Sequence, residues 1–141
     1  MKEYRTTHLV ISEDLNHHQT LFAGRAAEWL VEAGFIAAAT ACGRPEDVLC
    51  VNMHGFVFTE SVSNGAILSM CGRVVRTGRT SLTVHVKAVE EIGGHEPVDG
   101  FLTFVCVDPD THRPRPHGIV LDEPGDEDER ELRRQADALG R

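Results

Sequence analysis

Three short stretches of this chain hold residues whose types and spacing can do chemistry. The first is Asp14-Leu15-Asn16-His17-His18. An asparagine side chain brings a donor and an acceptor to one place, so Asn16 can polarise a substrate carbonyl or orient a water. Asp14 and Asn16 can equally be used to close a turn, because short amide and carboxyl side chains bond the backbone near them. The second stretch is Phe22-Ala23-Gly24. Where small residues open a helix, backbone N–H groups stay bare, and with the positive end of the helix dipole they can stabilise an oxyanion. Small residues also serve close helix–sheet packing, and spacing does not separate the two uses. The third is the set Arg25, Glu28 and Glu32, at intervals of three and four and so on one helical face. That face is either a polar stripe in which Arg25 pairs with Glu28 or Glu32, or a place where a partly dry carboxylate, Glu32 or Glu28, acts as general base on water.

The eight histidines are scattered apart from His17-His18, with no HxH or HxxxH pair, so a metal site is not expected. His54 falls inside an apolar run and can line a cleft; His17 and His18 read as surface residues. The four cysteines, Cys42, Cys50, Cys71 and Cys106, lie singly in apolar contexts without a CxxC pair. They are expected to be reduced core residues, since free cysteine is among the most buried types.

The elements that must position these groups follow from the hydrophobic pattern. From Leu21 to Ala41 or Cys42, apolar and small residues recur at helical spacing on most of the circumference, which places this helix inside a wrapper. Arg25, Glu28 and Glu32 interrupt it, so it does not read as a membrane span. Thr20 is the expected N-cap, and Gly43 the expected left-handed residue at the end. Strands are expected over Tyr4–Ile11, Val48–Phe58, Ala66–Arg76, Thr80–Val89 and Gly100–Val107, where β-branched and aromatic residues alternate with polar ones. Thr77-Gly78 reads as a tight turn, and Ile92–Asp99 as a loop. The order predicts one strand, one buried helix, then a four-strand antiparallel meander, an α+β layout with the long helix as the filling of the sheet. Residues 1–110 would form this one domain. Residues 111–141 would be an extended proline-bearing segment and a charged helix or tail, solvated or loosely docked.

The bulk numbers narrow the function classes. A length of 141 residues suits a single domain able to bury a core without staples. A net charge of -8 with no clustered basic face speaks against nucleic acid as a partner. The N-terminal MKEYRTTHLVI has no signal-peptide apolar run, so the expected address is the cytoplasm, with no membrane partner.

Taken together, the motifs have a family likeness. DLNHHQTLFAG leading into AEWLVEAGFIAA resembles the signature of the acyl-CoA thioesterases of the hotdog-fold superfamily, in which a D-x-N-(x)3-T/D-(L/I/V)-F-G-G segment precedes a central helix. Gly72 to Leu82 resembles that family's strand-turn-strand with its G-R-(T/S)-S turn, and Phe101 to Val107 its final strand; the likeness covers about residues 5 to 110. It implies the hotdog fold and hydrolysis of a fatty acyl-CoA to a free acid and coenzyme A, with the thioester as substrate and no cofactor. It also implies dimers with sites at the interface, often assembled as trimers of dimers. On the residues, it implies Asn16 for holding the thioester or the water, and the Ala23 and Gly24 N–H groups for the oxyanion. Gly78, Arg79, Thr80 and Ser81, with Arg76 for phosphate, are implied for the coenzyme A end. The family's catalytic aspartate falls on Val31, and Glu32 follows it. One residue along a helix turns a side chain by about 100°. Either a shifted helix lets Glu32 serve, or Glu28 reaches the site, or the protein is an acyl-CoA binder with weak or no hydrolysis.

Overall fold

The computed structural model describes residues 2–139. In chain order the elements are β1 (Glu3–Leu9), α1 (Ala23–Cys42), β2 (Val48–Phe58), β3 (Ile67–Thr77), β4 (Ser81–Glu90), β5 (Val98–Cys106) and α2 (Glu127–Ala138), with 3-10 turns at Ser12–Asp14 and Pro45–Asp47. The strands form one five-stranded antiparallel sheet in the order β1-β3-β4-β5-β2. The α+β hotdog arrangement is present: α1 lies along one face of the sheet and fills it.

The expected four-strand meander is not. Only β3, β4 and β5 follow one another; β2 pairs with β5 and becomes an edge, while β1 pairs with β3. The link between β2 and β3 has to cross the sheet to do this. It passes the start of α1, where Val62 is buried, Leu21 N–H donates to Val62 O at 2.8 Å, and Thr20 bridges Ser63. That crossing also explains why Thr20 is not the N-cap. Thr20 and Leu21 are held extended by bridges to Ser63 and Leu15, so the helix opens at Ala23 after Phe22, with no side-chain cap. Gly43, at φ 101°, ends α1 as expected, its N–H donating to Ala39 O.

Inward side chains follow strand parity. Met70, Gly72 and Val74 of β3, Val84, Val86 and Ala88 of β4, and Leu102 and Phe104 of β5 meet Ala26, Leu30, Ala33, Gly34, Ala37 and Ala38 of α1. Alanine and glycine make up nearly all of that helix face, so helix and sheet approach closely. α1 is not covered all round, however: the stripe Gly24, Ala27, Glu28, Val31, Glu32 and Phe35 borders an open groove of about 560 Å³.

Three of the cysteines depart from expectation. Cys42 and Cys106 are joined as a disulfide, and Cys50 is exposed on β2; Cys71 is buried and free as read. The bond forms because the C-terminal turn of α1 ends over the end of β5, a proximity that a sequence separation of 64 conceals. Of the two states expected for the C-terminal helix, solvated or loosely docked, the structure shows a docked one. α2 lies on the outer face of β3 and β4 with Ala136 buried, and Arg73 and Arg76 of β3 reach Glu129 and Asp137 at 3.5 and 3.2 Å. Among the described residues no helix is long and apolar enough to cross a membrane.

Candidate functional site

The Asp14–Thr20 segment is folded by its own polar groups. Asp14 is buried: its Oδ2 accepts from Ile11 N–H at 3.0 Å, its backbone O accepts from Phe22 N–H at 2.8 Å, and Arg25 Nε stands 3.4 Å from its Oδ1. This ties the loop to the first turn of α1. Asn16 closes the turn within it. Its Oδ1 accepts from His18 N–H at 2.8 Å, Thr20 N–H at 3.2 Å and Thr20 Oγ1 at 3.3 Å. Those donors fix the amide's orientation, because the NH₂ end cannot face an N–H. The turn-closing reading of Asn16 is the one the structure shows: the oxygen builds the turn, and Nδ2 is left without an acceptor among the described residues. Gln19, at φ 66°, is held in the left-handed region to complete the turn.

Asn16 and Ala23 line one cavity of about 380 Å³, together with Leu21, Ala26, Phe58, Glu60 and Val98. The helix start opens into it. The N–H groups of Ala23 and Gly24 lie ahead of the first intrahelical bonds, which run from Arg25 and Ala26 to Phe22 O, so these donors stay bare. Asn16 and Ala23 thus share one cavity, where an amide donor and a backbone N–H at a helix start are groups of the kind that serve an oxyanion. Glu60 was not singled out in the sequence; it arrives through the β2–β3 crossing and lies 3.5 Å from His95 Nδ1.

Glu32 is not in that cavity. It borders the open groove on the uncovered stripe of α1, as do Gly24 and Glu28, with Val31 between the two carboxylates. The Glu32 side chain is 59% exposed and Glu28 69%. Arg25 pairs with Glu28 at 3.8 Å, and Glu32 instead faces His8 Nε2 at 3.9 Å. His8 stacks flat on Trp29, with ring centroids 4.2 Å apart. Its inward parity, shared with Tyr4, Thr6 and Val10, was the available signal for this contact.

The residues expected at the coenzyme A end gather elsewhere. Arg76, Ser81 and His54 line a 320 Å³ cavity on the outer face of the sheet with Asn52 and Thr103. His54 Nε2 lies 2.8 Å from Thr103 Oγ1, which lies 3.2 Å from Thr83 Oγ1. Gly78, Arg79 and Thr80 form the adjoining β3–β4 turn; a Cβ on Gly78 would stand 2.5 Å from Ser81 Oγ. Arg79 is exposed, and no carboxylate pairs with it among the described residues. This turn sits at the Cys106 end of β5 and the Asn16 cavity at the Val98 end. The two are about 27 Å apart at the rise of an antiparallel strand, so a single protomer does not bring them together.

The model of the thioesterase superfamily matches residues 18–95. The chain is 29% identical over 106 residues to an uncharacterised acyl-CoA thioester hydrolase of Bacillus subtilis, an alignment covering 72% of this chain and 60% of that protein. Among solved structures it resembles an acyl-CoA hydrolase of Staphylococcus aureus, determined with butyryl coenzyme A, coenzyme A and coenzyme A disulfide. The TM-score is 0.86 at 25% identity, with 97% of this chain and 80% of that one covered. An apo-hexameric acyl-CoA thioesterase matches with a TM-score of 0.86 at 30% identity, covering 97% and 87%. With more than half its length inside the family pattern and the hotdog architecture throughout, this chain belongs to the thioesterase superfamily.

Proposed function

We propose that the protein hydrolyses acyl-CoA thioesters to a free acid and coenzyme A. The observation that carries this reading is the cavity that Asn16, whose Nδ2 has no acceptor among the described residues, lines together with Ala23 at the first turn of α1. Water adds to the thioester carbonyl carbon, and the carbonyl oxygen takes up negative charge against the Ala23 and Gly24 N–H groups while Asn16 orients the carbonyl or the water. The proton goes to a carboxylate, the C–S bond breaks, and coenzyme A leaves as a thiolate. Glu32 is the base in this reading, with Glu28 as the alternative. The reaction as written calls for nothing beyond water and the protein's own groups.

A second copy of the chain completes the site. Glu32 and the Gly78–Ser81 turn both lie away from the Asn16 cavity of their own protomer. Pairing of two β2 edges about a two-fold axis would set the start of one α1 beside the finish of the other. Support for further assembly of dimers into a trimer comes from the hexameric relative.

One observation favours a second reading, an acyl-CoA-binding protein without hydrolysis: Val31 stands where the family places its aspartate, and its neighbouring carboxylates are largely exposed. Free-thiol release from acyl-CoAs of short to long chain decides between them. Turnover that collapses in both Asn16→Ala and Glu32→Gln supports hydrolysis with Glu32 as base. Turnover that survives Glu32→Gln moves the base to Glu28. Absence of turnover on every chain length, with coenzyme A thioesters still bound in calorimetry, establishes the binding protein.

A further inference from the structure

The β3–β4 turn is gripped by a part of the chain that the family pattern does not reach. Three of its carbonyl oxygens point into the segment 106–117. Thr80 O accepts from Cys106 N–H at 2.8 Å, Arg79 O accepts from His117 N–H at 3.3 Å, and Ser81 O lies 2.9 Å from His117 Nε2. The other ring nitrogen, Nδ1, accepts from Ile119 N–H at 2.9 Å. A carbonyl can only accept and an amide N–H can only donate, so these two partners define a neutral imidazole with its proton on Nε2. The segment is itself pinned. Arg115 reaches Asp47 Oδ2 at 2.9 Å and Val107 O at 3.3 Å, and its N–H donates to Cys106 O at 2.9 Å. Asp47 is buried and also holds Arg44 at 3.2 Å.

The consequence is a one-sided turn. With the carbonyls of residues 79–81 drawn into the segment, the N–H groups of Arg79 and Thr80 donate to no acceptor among the described residues. Successive bare N–H groups in a turn suit an anion, and Arg79, exposed and paired with no carboxylate among the described residues, belongs to the same turn. Fixing such donors before the ligand arrives removes an ordering cost from binding.

We infer that His117 is a positioning residue for the coenzyme A end of the substrate. It touches no reacting atom and holds the Gly78–Ser81 turn, closed by Gly78 N–H donating to Ser81 O at 2.9 Å, with the Arg79 and Thr80 N–H groups left for a phosphate. This rests on the reading of the protein as one that takes coenzyme A thioesters.

The test compares wild type with His117→Ala, His117→Asn and Arg79→Ala. Each is assayed on an acyl-CoA, on the same acyl group carried by N-acetylcysteamine, which has the thioester and no phosphate, and for calorimetric binding of coenzyme A. His117→Ala is expected to raise KM for acyl-CoA and Kd for coenzyme A about tenfold, the scale of one hydrogen bond to a charged group. Its kcat and its activity on the N-acetylcysteamine thioester should stay within about twofold of wild type, on the same scale. His117→Asn should recover only part of the loss, because its amide oxygen can accept from the N–H two residues on while its NH₂ falls short of Ser81 O. An equal loss on both thioesters would make His117 merely structural and overturn the inference. So would an unchanged coenzyme A Kd in His117→Ala while Arg79→Ala weakens binding. If Arg79→Ala also leaves binding unchanged, the coenzyme A role of the turn falls, and the inference with it. Should His117→Ala not fold, Arg115→Gln loosens the segment at its anchor; the same selective rise in KM supports the inference, and an unchanged KM overturns it.

Discussion

His85 shows how a single side chain on the outer face of the sheet sets a pH limit on the fold. It sits on β4 beneath α2, 4% exposed, with Nε2 3.2 Å from Asp99 Oδ2 and its ring against Phe101. Burial pushes its pKa down from the ordinary histidine value. The hydrogen bond and charge of Asp99 oppose this, and Lys87 and Arg73 add to the lowering. The unfolded chain takes up a proton near pH 6.5, while the folded chain resists it. The stability His85 contributes is therefore fully present above about pH 6.5 and is lost as the pH falls below that value. The melting temperature should drop more steeply between pH 7 and 5 in wild type than in His85→Gln; parallel slopes would refute this. The carboxylates held below their ordinary range, Glu3 beside Arg73 and Glu129 beside Arg133, act at lower pH and do not interfere. At this scale the sequence was readable where a residue builds its own local structure. Asn16 stood out because a short amide closes a turn on nearby backbone N–H groups. His117 and Glu60 did not, because nothing local marks a side chain that reaches its place through a crossing or a clamp.

Between elements, the decisive contact is the closeness of α1 to β3. A Cβ added to Gly72 would stand 2.9 Å from the backbone oxygen of Ala33, inside the contact limit, and the helix has no side chain there to move aside. At Gly34 the same addition meets the Leu102 side chain at 3.1 Å, which can turn away. Gly72→Ala should therefore destabilise by roughly 1–3 kcal/mol, as overpacked cores do, and Gly34→Ala by less; equal losses in denaturant melts would contradict this account. The helix and all five strands were legible as patterns of period 3.6 and 2. Their order in the sheet was not, because alternation names the inward face of a strand and leaves its neighbour unnamed. The crossing after β2 follows from Val62, whose burial under Leu21 is invisible in a segment that reads as a turn. The Cys42–Cys106 bond was hidden for the same reason: it depends on where α1 ends over β5.

For the whole molecule, the unfinished feature is the β2 edge. β2 holds no charged residue in eleven, and Leu49, Val51, Met53, Val57 and Phe58 are each between 43% and 62% exposed. The opposite edge, β1, carries Glu3 and Arg5, with Arg5 paired to Glu91. Soluble proteins blunt a free edge with charge; here one edge is blunted and the other is left apolar, the pattern of a strand that another chain covers. In the proposed function the two halves of the candidate site lie at opposite ends of one protomer, and the cover is a second copy running the other way. Replacing Leu49 and Val57 by lysine puts like charges across the two-fold axis, so each substitution counts twice. Inside the protomer the change is mild, since Leu49 lies opposite Val105 and Val57 opposite Asp99, which can pair with a lysine. The expected outcome is a monomer in light scattering, folded by circular dichroism, with thiol release reduced at least about a hundredfold because no protomer holds a whole site. A monomer with wild-type turnover would show that one chain suffices. A variant still dimeric would place the contact on another surface.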